Sequence, residues 1–438
     1  MDKEIRTESV LKKDLSLLTA TTLVIGMVIG SGIFMKPGKV IEAAGDSTMA
    51  LAAWGLGGII TIAAGLTVAE LGVQIPKTGG IYAYLDEVYG KMWGYLFGWV
   101  QTFIYGPATT GALGLYFSTL LLPFFNFPET WKLPVAIAVV AFLGGVNALG
   151  AKYGGLIQSA ATAAKLVPII LIAVFGLWQG NGQILNMPGG IGETAGMGAA
   201  VLATLWAYDG WINVSFVAGE MKNPAKELPR AIITGLAIVM AAYLAINLAL
   251  FHMLPASEIA LLGNRAAGTV AGLLFGEMGG KLISIGILIS IFGALNGYIL
   301  TGARVPFAMA QNGLLPGAQL LGKVHSKSGT PANALLLVVI LAAVLMTLGD
   351  PDRLTDMAMF IIWAFYILAF AAVFILRKRN PKAKRSYSVP GYPVVPGIAI
   401  LGSVYIAFSM LVHNPGDALS ALGITLAGIP AYMLLRKK

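Results

Sequence analysis

The 438-residue sequence contains no cysteine and only three histidines. The lack of cysteine excludes disulfide bonds, thiolate nucleophiles and cysteine metal ligands. His252, His325 and His413 lie far apart and form no HExxH pattern, which argues against a zinc protease. We therefore expect neither a metal site nor a cofactor.

Charged residues are also scarce. They make up 11% of the chain, against about 25% in soluble domains, and 57% of the residues are hydrophobic. So few charges could not cover the surface of a water-soluble fold of this length. The sequence therefore predicts an all-α integral membrane protein. Residues 1–15 are expected to form a cytoplasmic tail and not a signal peptide, because no small-residue cleavage site follows a short apolar stretch.

About twelve apolar runs approach the roughly 20 residues that a membrane helix needs. The runs centre near Gly30, Ile60, Tyr105, Val140, Pro168, Tyr208, Met240, Phe292, Val339, Tyr366, Ile406 and Ile424. With the N-terminus inside, the inner loops carry 22 of the 29 Lys and Arg residues and the outer loops carry 6. The positive-inside rule then predicts a multi-pass protein of the cell membrane with both termini in the cytoplasm.

Two of these runs contain residues that interrupt a helix. The first run has Gly26, Gly30 and Gly32, and glycine weakens a helix interior by roughly 1 kcal/mol relative to alanine. The sixth run contains the sequence WAYDGW at residues 206–211. These interruptions lie about 180 residues apart, which indicates a five-helix unit at 16–178 and an inverted copy at 196–376. Two additional helices are expected at 394–435.

A break at mid-membrane is tolerated where the backbone faces a polar cavity or protein. Free N–H groups at the start of the second half-helix suit a carboxylate, and freed carbonyls suit an ammonium group. Together they predict a site for a zwitterion such as an α-amino acid. The alternative is that Gly26 and Gly30 form a GxxxG pair for close helix packing. The matched break in the sixth run favours the binding site.

Four motifs in order resemble the amino acid–polyamine–organocation superfamily, and within it the L-amino acid transporter family. They are IGSGIF (29–34), PKTGGIYAYLDEVYG (76–90), WAYDGW (206–211) and GEMKNPAKELPRAI (219–232). The resemblance implies twelve transmembrane helices in a five-plus-five inverted repeat, like the leucine transporter, with discontinuous first and sixth helices. It also implies sodium-independent, alternating-access exchange of small neutral L-amino acids such as alanine, serine and cysteine. The loop after the third run has no cysteine, so we expect no disulfide-linked heavy chain.

The resemblance also implies roles for individual residues. The N–H groups of Ser31, Gly32 and Ile33 would hold the substrate carboxylate. The carbonyls of Val28, Trp206, Ala207 and Asp209 would receive the amino group, and Trp206 would form an aromatic gate. Many family members have glycine at the position of Asp209, whose side chain would either cap the second half-helix or face the pocket. The cap is the interpretation that the sequence favours.

Lys165 lies inside the fifth run, about 15 Å or more from either end. An intramembrane lysine needs a partner and by default marks function. Carbonyls of the first run and Ser284, Ser290 or Asn296 of the eighth run are candidate partners. The resemblance implies that its ammonium group replaces a sodium ion that related transporters bind.

Three alternative functions are considered. The first is a proton-coupled amino acid symporter, in which Lys165 would be the titrating group; the others are a channel and an intramembrane enzyme. A channel would need a ring of acidic residues or a carbonyl filter motif, and the sequence has neither. GEMGGKL (276–282) only imitates a P-loop, because no Ser or Thr follows its lysine.

Overall fold

The computed structural model describes residues 11–182, 196–348, 351–413 and 415–436, and these are almost entirely helical. The helices are α1 (Leu17–Val28), α2 (Gly32–Met35), α3 (Pro37–Ala44), α4 (Ser47–Gln74), α5 (Ile81–Tyr89), α6 (Lys91–Val100), α7 (Gly106–Leu121), α8 (Lys132–Leu149), α9 (Ala151–Gln179), α10 (Gly196–Ala207), α11 (Pro224–Met253), α12 (Ala256–Leu262), α13 (Ala266–Phe275), α14 (Glu277–Gly302), α15 (Arg304–Gln311), α16 (Ala318–Leu321), α17 (Ala332–Leu348), α18 (Pro351–Arg379), α19 (Val394–His413) and α20 (Pro415–Arg436). The described residues form no β-strand, only an isolated bridge between Leu15 and Met221.

Ten helical segments of the described chain are long and apolar enough to cross a membrane. They are α1 with α2, α4, α6 with α7, α8, α9, α11, α14 with α15, α18, α19 and α20. The predicted all-α membrane protein is thus confirmed. Of the other two predicted runs, the one near Val339 forms the shorter α17, and the one near Tyr208 is interrupted.

Short-range signals fix several helix ends. The side chain of Ser16 accepts a hydrogen bond from the N–H of Thr19 and starts α1, as Ser and Thr favour helix starts. Gly45 ends α3 in the left-handed region with φ of 89°, and Asp46 then caps α4. These caps satisfy backbone groups that a helix end otherwise leaves unpaired.

Both predicted interruptions are present in the backbone. After α1 ends at Val28, the N–H of Gly30 bonds to the carbonyl of Val28, and α2 begins at Gly32. After α10 ends at Ala207, a turn leads to Gly210 with φ of 103° and then to a 3₁₀-helix, Trp211–Glu220. A π-helical turn, Gln101–Tyr105, separates α6 from α7, and such turns are frequent at functional sites.

The long helices pack so that the two breaks meet. α1 packs on α11, α9 and α14, and α10 packs on α3 and α4. α4 and α11 pack closely on each other, and α9 packs on α14. A second apolar cluster lies where α7, α8, α14 and α17 meet, with Leu115, Val140, Leu295 and Val338 among its buried members.

Candidate functional site

Each break brings a glycine against the backbone of the other. A Cβ atom added to Gly32 would lie 3.2 Å from the Cα of Ala207, and one added to Gly210 would lie 3.1 Å from the carbonyl oxygen of Met27. Gly210 also has the positive φ that side chains rarely adopt. The two interrupted segments therefore touch at two points: a side chain would be crowded at Gly32, and at Gly210 it would also be strained by the positive φ.

Gly26 and Gly30, the possible packing pair, behave differently. A Cβ at Gly26 would lie 2.1 Å from the side-chain nitrogen of Gln158, so this glycine does allow α1 to approach α9. A Cβ at Gly30 would meet nothing within 4 Å, because Gly30 faces a cavity. The packing interpretation therefore fits Gly26 and not Gly30.

The start of α2 carries unpaired hydrogen-bond donors. The N–H groups of Ser31, Gly32 and Ile33 donate to no other residue in the part of the chain that the structure describes. All three residues are buried. Unpaired buried N–H groups are rare in proteins, so these three can hold an anionic or carbonyl group that enters the site.

Three of the four carbonyls that the resemblance assigned to the amino group, those of Val28, Trp206 and Ala207, have partners. The hydroxyl of Tyr243 on α11 lies 2.9 Å from the carbonyl oxygens of both Val28 and Ala207. One hydroxyl carries one proton and can donate to only one of them at a time. The carbonyl of Trp206 accepts a weak bond from the N–H of Asp209 at 3.4 Å. Sequence analysis missed Tyr243, although a tyrosine inside an apolar run is itself a signal, because its hydroxyl needs a partner there.

A cavity of about 80 Å³ lies between the breaks. The residues that line it from the breaks are Met27, Val28, Gly30, Ser31, Gly32, Trp206, Ala207 and Asp209. The remaining lining residues are Tyr105, Thr109, Ala112, Leu113, Tyr116, Ala294, Tyr298 and Met359. Of the seven residues that the resemblance assigns to the substrate, all except Ile33 line this cavity, and the side chain of Ile33 is buried.

The carboxylate of Asp209 belongs to this cavity. Its Oδ2 accepts a hydrogen bond from the hydroxyl of Tyr105 at 2.8 Å, and the hydroxyl of Tyr298 lies 3.4 Å from that of Tyr105. Its Oδ1 is buried and has no partner among the described residues. Gly210, and not Asp209, is the N-cap residue of the following 3₁₀-helix, which has no side-chain cap. The favoured cap interpretation was therefore wrong.

Lys165 binds the backbone of the broken first segment without lining the cavity. Its Nζ donates to the carbonyl oxygens of Gly26 at 2.7 Å, Ile29 at 2.6 Å and Ser290 at 2.9 Å. The hydroxyl of Ser290 lies 2.8 Å from the carbonyl oxygen of Ile29 and 3.0 Å from that of Gly30, and it can donate its one proton to either of them. The three protons of an ammonium group thus meet three oxygens that only accept. Lys165 itself is fully buried.

Two other candidate partners of Lys165 bond elsewhere. The hydroxyl of Ser284 donates to the carbonyl of Gly280 in its own helix. Ser284 precedes Ser290 by six residues, which on an α-helix places it about 9 Å away and on another face. The side chain of Asn296 bonds to Gly154, Gln158 and Asn147 instead. Of the predicted partners on α14, only Ser290 contacts the lysine.

A buried ion pair lies at the C-terminal end of the 3₁₀-helix. The guanidinium of Arg304 on α15 binds Glu220 through two bonds, of 2.6 and 2.7 Å, and both side chains are fully buried. The N–H of Leu15 donates to the carbonyl of Glu220, and that of Gly79 donates to the carbonyl of Phe216. The N-terminal segment is therefore held against this end of the site.

A family model described as amino acid permease matches residues 15–433. The chain belongs to the amino acid permease family. Membership of this family indicates that the protein is an amino acid transporter of the membrane and not an enzyme.

Full-length relatives support this assignment. The chain is 51% identical to a serine/threonine exchanger, SteT, of Bacillus subtilis (strain 168), with 98% of each chain covered. It is 33% identical to the human Asc-type amino acid transporter 1, covering 97% of this permease and 82% of that protein. It is 32% identical to the human cystine/glutamate transporter, with 97% and 85% covered.

Proposed function

We propose that this permease is a sodium-independent exchanger of small neutral L-amino acids, such as alanine, serine and cysteine, that works by alternating access. The observation that carries the proposal is the cavity between the two helix breaks. One wall presents the unpaired N–H groups of Ser31, Gly32 and Ile33, and another presents the carboxylate of Asp209. An α-amino acid complements these two walls, because its carboxylate can bind the N–H groups and its ammonium group can bind the carboxylate of Asp209.

The binding mode follows from these groups. The substrate carboxylate accepts hydrogen bonds from the N–H groups at the start of α2. The ammonium group lies near the carbonyls of Val28, Trp206, Ala207 and Asp209 and donates to the free Oδ1 of Asp209. The Tyr243 hydroxyl has one proton and can donate to the carbonyl of either Val28 or Ala207, so the other carbonyl is free to accept from the substrate ammonium group.

The cavity size favours small substrates. One ordered water needs roughly 10–15 Å³ of such space, so 80 Å³ has room for about five to eight water-sized atoms. Alanine and serine are in this range. The serine/threonine specificity in the name of the Bacillus subtilis relative supports the same size class.

Sodium independence rests on Lys165. Its ammonium group lies between α1 and α14, and three carbonyl oxygens surround it, as oxygens would surround a cation such as sodium. Because all three neighbours only accept, deprotonation would remove one of the three hydrogen bonds that Lys165 donates. This disfavours the proton symporter in which Lys165 releases a proton.

The inverted repeat is supported by matching pairs of contacts. α1 packs on α11 as α10 packs on α4, and α9 packs on α14 as α18 packs on α7. These pairs correspond when the first five spans are exchanged with the next five. With two further helices at 394–435 the chain would have twelve, and a cytoplasmic N-terminus would place Glu220 and Arg304 on the inner side.

Counterflow in proteoliposomes tests the proposal. Liposomes that contain the purified protein and unlabelled serine should take up radiolabelled serine, whereas empty liposomes should not. Replacing sodium by choline should change nothing, and alanine, serine and cysteine should compete better than leucine. Uptake into empty liposomes driven by an inward proton gradient would instead establish the symporter.

A further inference from the structure

One cation contacts the site from outside the cavity. The Nζ of Lys36 lies 4.2 Å from the centroid of the Trp206 ring. Lys36 does not line the cavity, whereas Trp206 does. Both residues are partly exposed. The Trp206 ring therefore lies between the cavity and the protein surface, and the ammonium group of Lys36 contacts it there.

The position of Lys36 connects this contact to the substrate site. Its N–H donates to the carbonyl of Gly32 at 2.9 Å, so Lys36 closes the same helical turn whose first N–H groups are unpaired. A Cβ on Gly32 would lie 3.4 Å from the Trp206 ring. The ring is therefore held by the backbone at the start of α2 and by the ammonium group at its end.

We propose that Lys36 is a positioning residue that latches the Trp206 ring over the substrate and sets affinity on the membrane face opposite to the N-terminus. This rests on the proposed function, which places the substrate in the cavity that Trp206 lines. A cation over an indole face is attracted by the ring quadrupole. Without it, Trp206 samples other rotamers, and the bound amino acid escapes faster on that face.

The effect should be confined to one side. α1 and α2 together cross the membrane, which places Lys36 on the face opposite to the N-terminus. The Glu220–Arg304 pair lies instead at the other end of the site, where the N-terminal segment contacts Glu220. Loss of a partly exposed cation–π contact corresponds to about a two- to five-fold change in an equilibrium constant, so KM on the opposite face should rise by about that factor.

The experiment compares Lys36→Met, Lys36→Arg and Lys39→Met. Lys39 is an exposed lysine three residues away, so its substitution removes the same charge from the same region without touching the ring. Serine KM is measured in right-side-out and inside-out membrane vesicles. We expect Lys36→Met to raise KM on one face only, Lys36→Arg to restore it, and Lys39→Met to match the wild type.

A second measurement follows the ring without transport. Purified protein labelled with 5-fluorotryptophan gives ¹⁹F resonances from its eight tryptophans, and Trp206→Phe identifies the one from Trp206. We expect Lys36→Met, but not Lys39→Met, to shift or broaden that resonance.

An unchanged Trp206 resonance in Lys36→Met, or equal KM changes in Lys36→Met and Lys39→Met, would overturn the latch. A wild-type protein that failed to exchange serine would instead overturn the proposed function, and the resonance would still report on the latch.

Discussion

Replacing Lys165 by methionine tests how the broken first segment is held in place. Methionine is similar in length and apolar, so Lys165→Met removes the ammonium group with little change in packing volume. Three carbonyls then lose a donor: those of Gly26, Ile29 and Ser290. Their remaining partners determine how much each loss costs.

Of the three carbonyls, only that of Gly26 is left with no other hydrogen-bond donor in the described part of the chain. Ile29 keeps the hydroxyl of Ser290, and the carbonyl of Ser290 lies within α14. The carbonyl of Gly26 keeps none, because the N–H of Gly30, which would bond to it in a continuous helix, bonds to Val28 instead. A buried carbonyl without a donor costs about 1–3 kcal/mol.

This cost should appear in substrate affinity, because the break must keep its shape for Ser31, Gly32 and Ile33 to present their N–H groups. A cost of about 1–3 kcal/mol corresponds to about a 5- to 150-fold rise in KM. We expect this rise in counterflow of radiolabelled serine. Lys152→Met, an exposed lysine on the same helix, is the matched control and should behave as the wild type.

Measuring KM separately on each face of the membrane makes the result decisive. Lys165 contacts α1 and α14 but not the cavity itself, so it acts on the break in every state in which those helices stay together. If Lys165→Met had the KM of Lys152→Met in both right-side-out and inside-out vesicles, the proposed coupling between the lysine and the substrate site would be refuted.

Three further substitutions test other parts of the site. Asp209→Asn removes the charge that faces the substrate ammonium, so serine KM should rise by about 10- to 150-fold, and an unchanged KM would remove Asp209 from the binding mode. Arg304→Met leaves Glu220 buried without a partner, at about 3–5 kcal/mol, and should loosen the packing at this end of the 3₁₀-helix, so a maleimide should label Ser215→Cys faster in that background. The chain has no native cysteine to interfere; equal labelling rates would show that the ion pair does not limit access to this end. Gly210→Ala puts a Cβ 3.1 Å from the Met27 carbonyl at positive φ and should abolish exchange, whereas Gly268→Ala, with open space around it, should not.

The breaks could be predicted from the sequence because their signals are local. Glycine within an apolar run, and Asp next to Gly at residues 209–210, disfavour a continuous helix whatever surrounds them. Lys165 could be identified for a similar reason, since a lysine so far from either membrane surface needs a partner. In each case the physical cost arises without reference to the packing of a particular helix: from the local backbone for the breaks, and from the membrane for the lysine.

Partners across the fold could not be predicted in the same way. Which serine of α14 meets Lys165 depends on helix phase, and the hydroxyl of Tyr243 finds two carbonyls only because α11 packs on α1. The same holds for Asp209. Its sequence position next to a helix start suggests a cap, but the neighbouring Tyr105 on the π-helical turn draws the carboxylate into the cavity.

The polar groups of the cavity give a physical reason for exchange in place of one-way transport. To change the side to which it is open, the protein must close the cavity around its contents. With an amino acid inside, the N–H groups of Ser31, Gly32 and Ile33 and the free oxygen of Asp209 all have partners. When the cavity closes without substrate and expels its water, these four groups lose their water partners and gain no others.

Each unpaired buried group costs at least about 1 kcal/mol, so the empty protein faces an extra barrier of about 4 kcal/mol, which slows its return by about a thousandfold. Serine–serine exchange should therefore exceed net serine efflux by about that ratio in the same liposomes. Asp209→Asn should narrow the ratio, because a neutral amide is less costly to dehydrate than a carboxylate. Equal rates of exchange and net efflux in the wild type would show that the empty cavity closes without this cost, so that these groups do not enforce exchange.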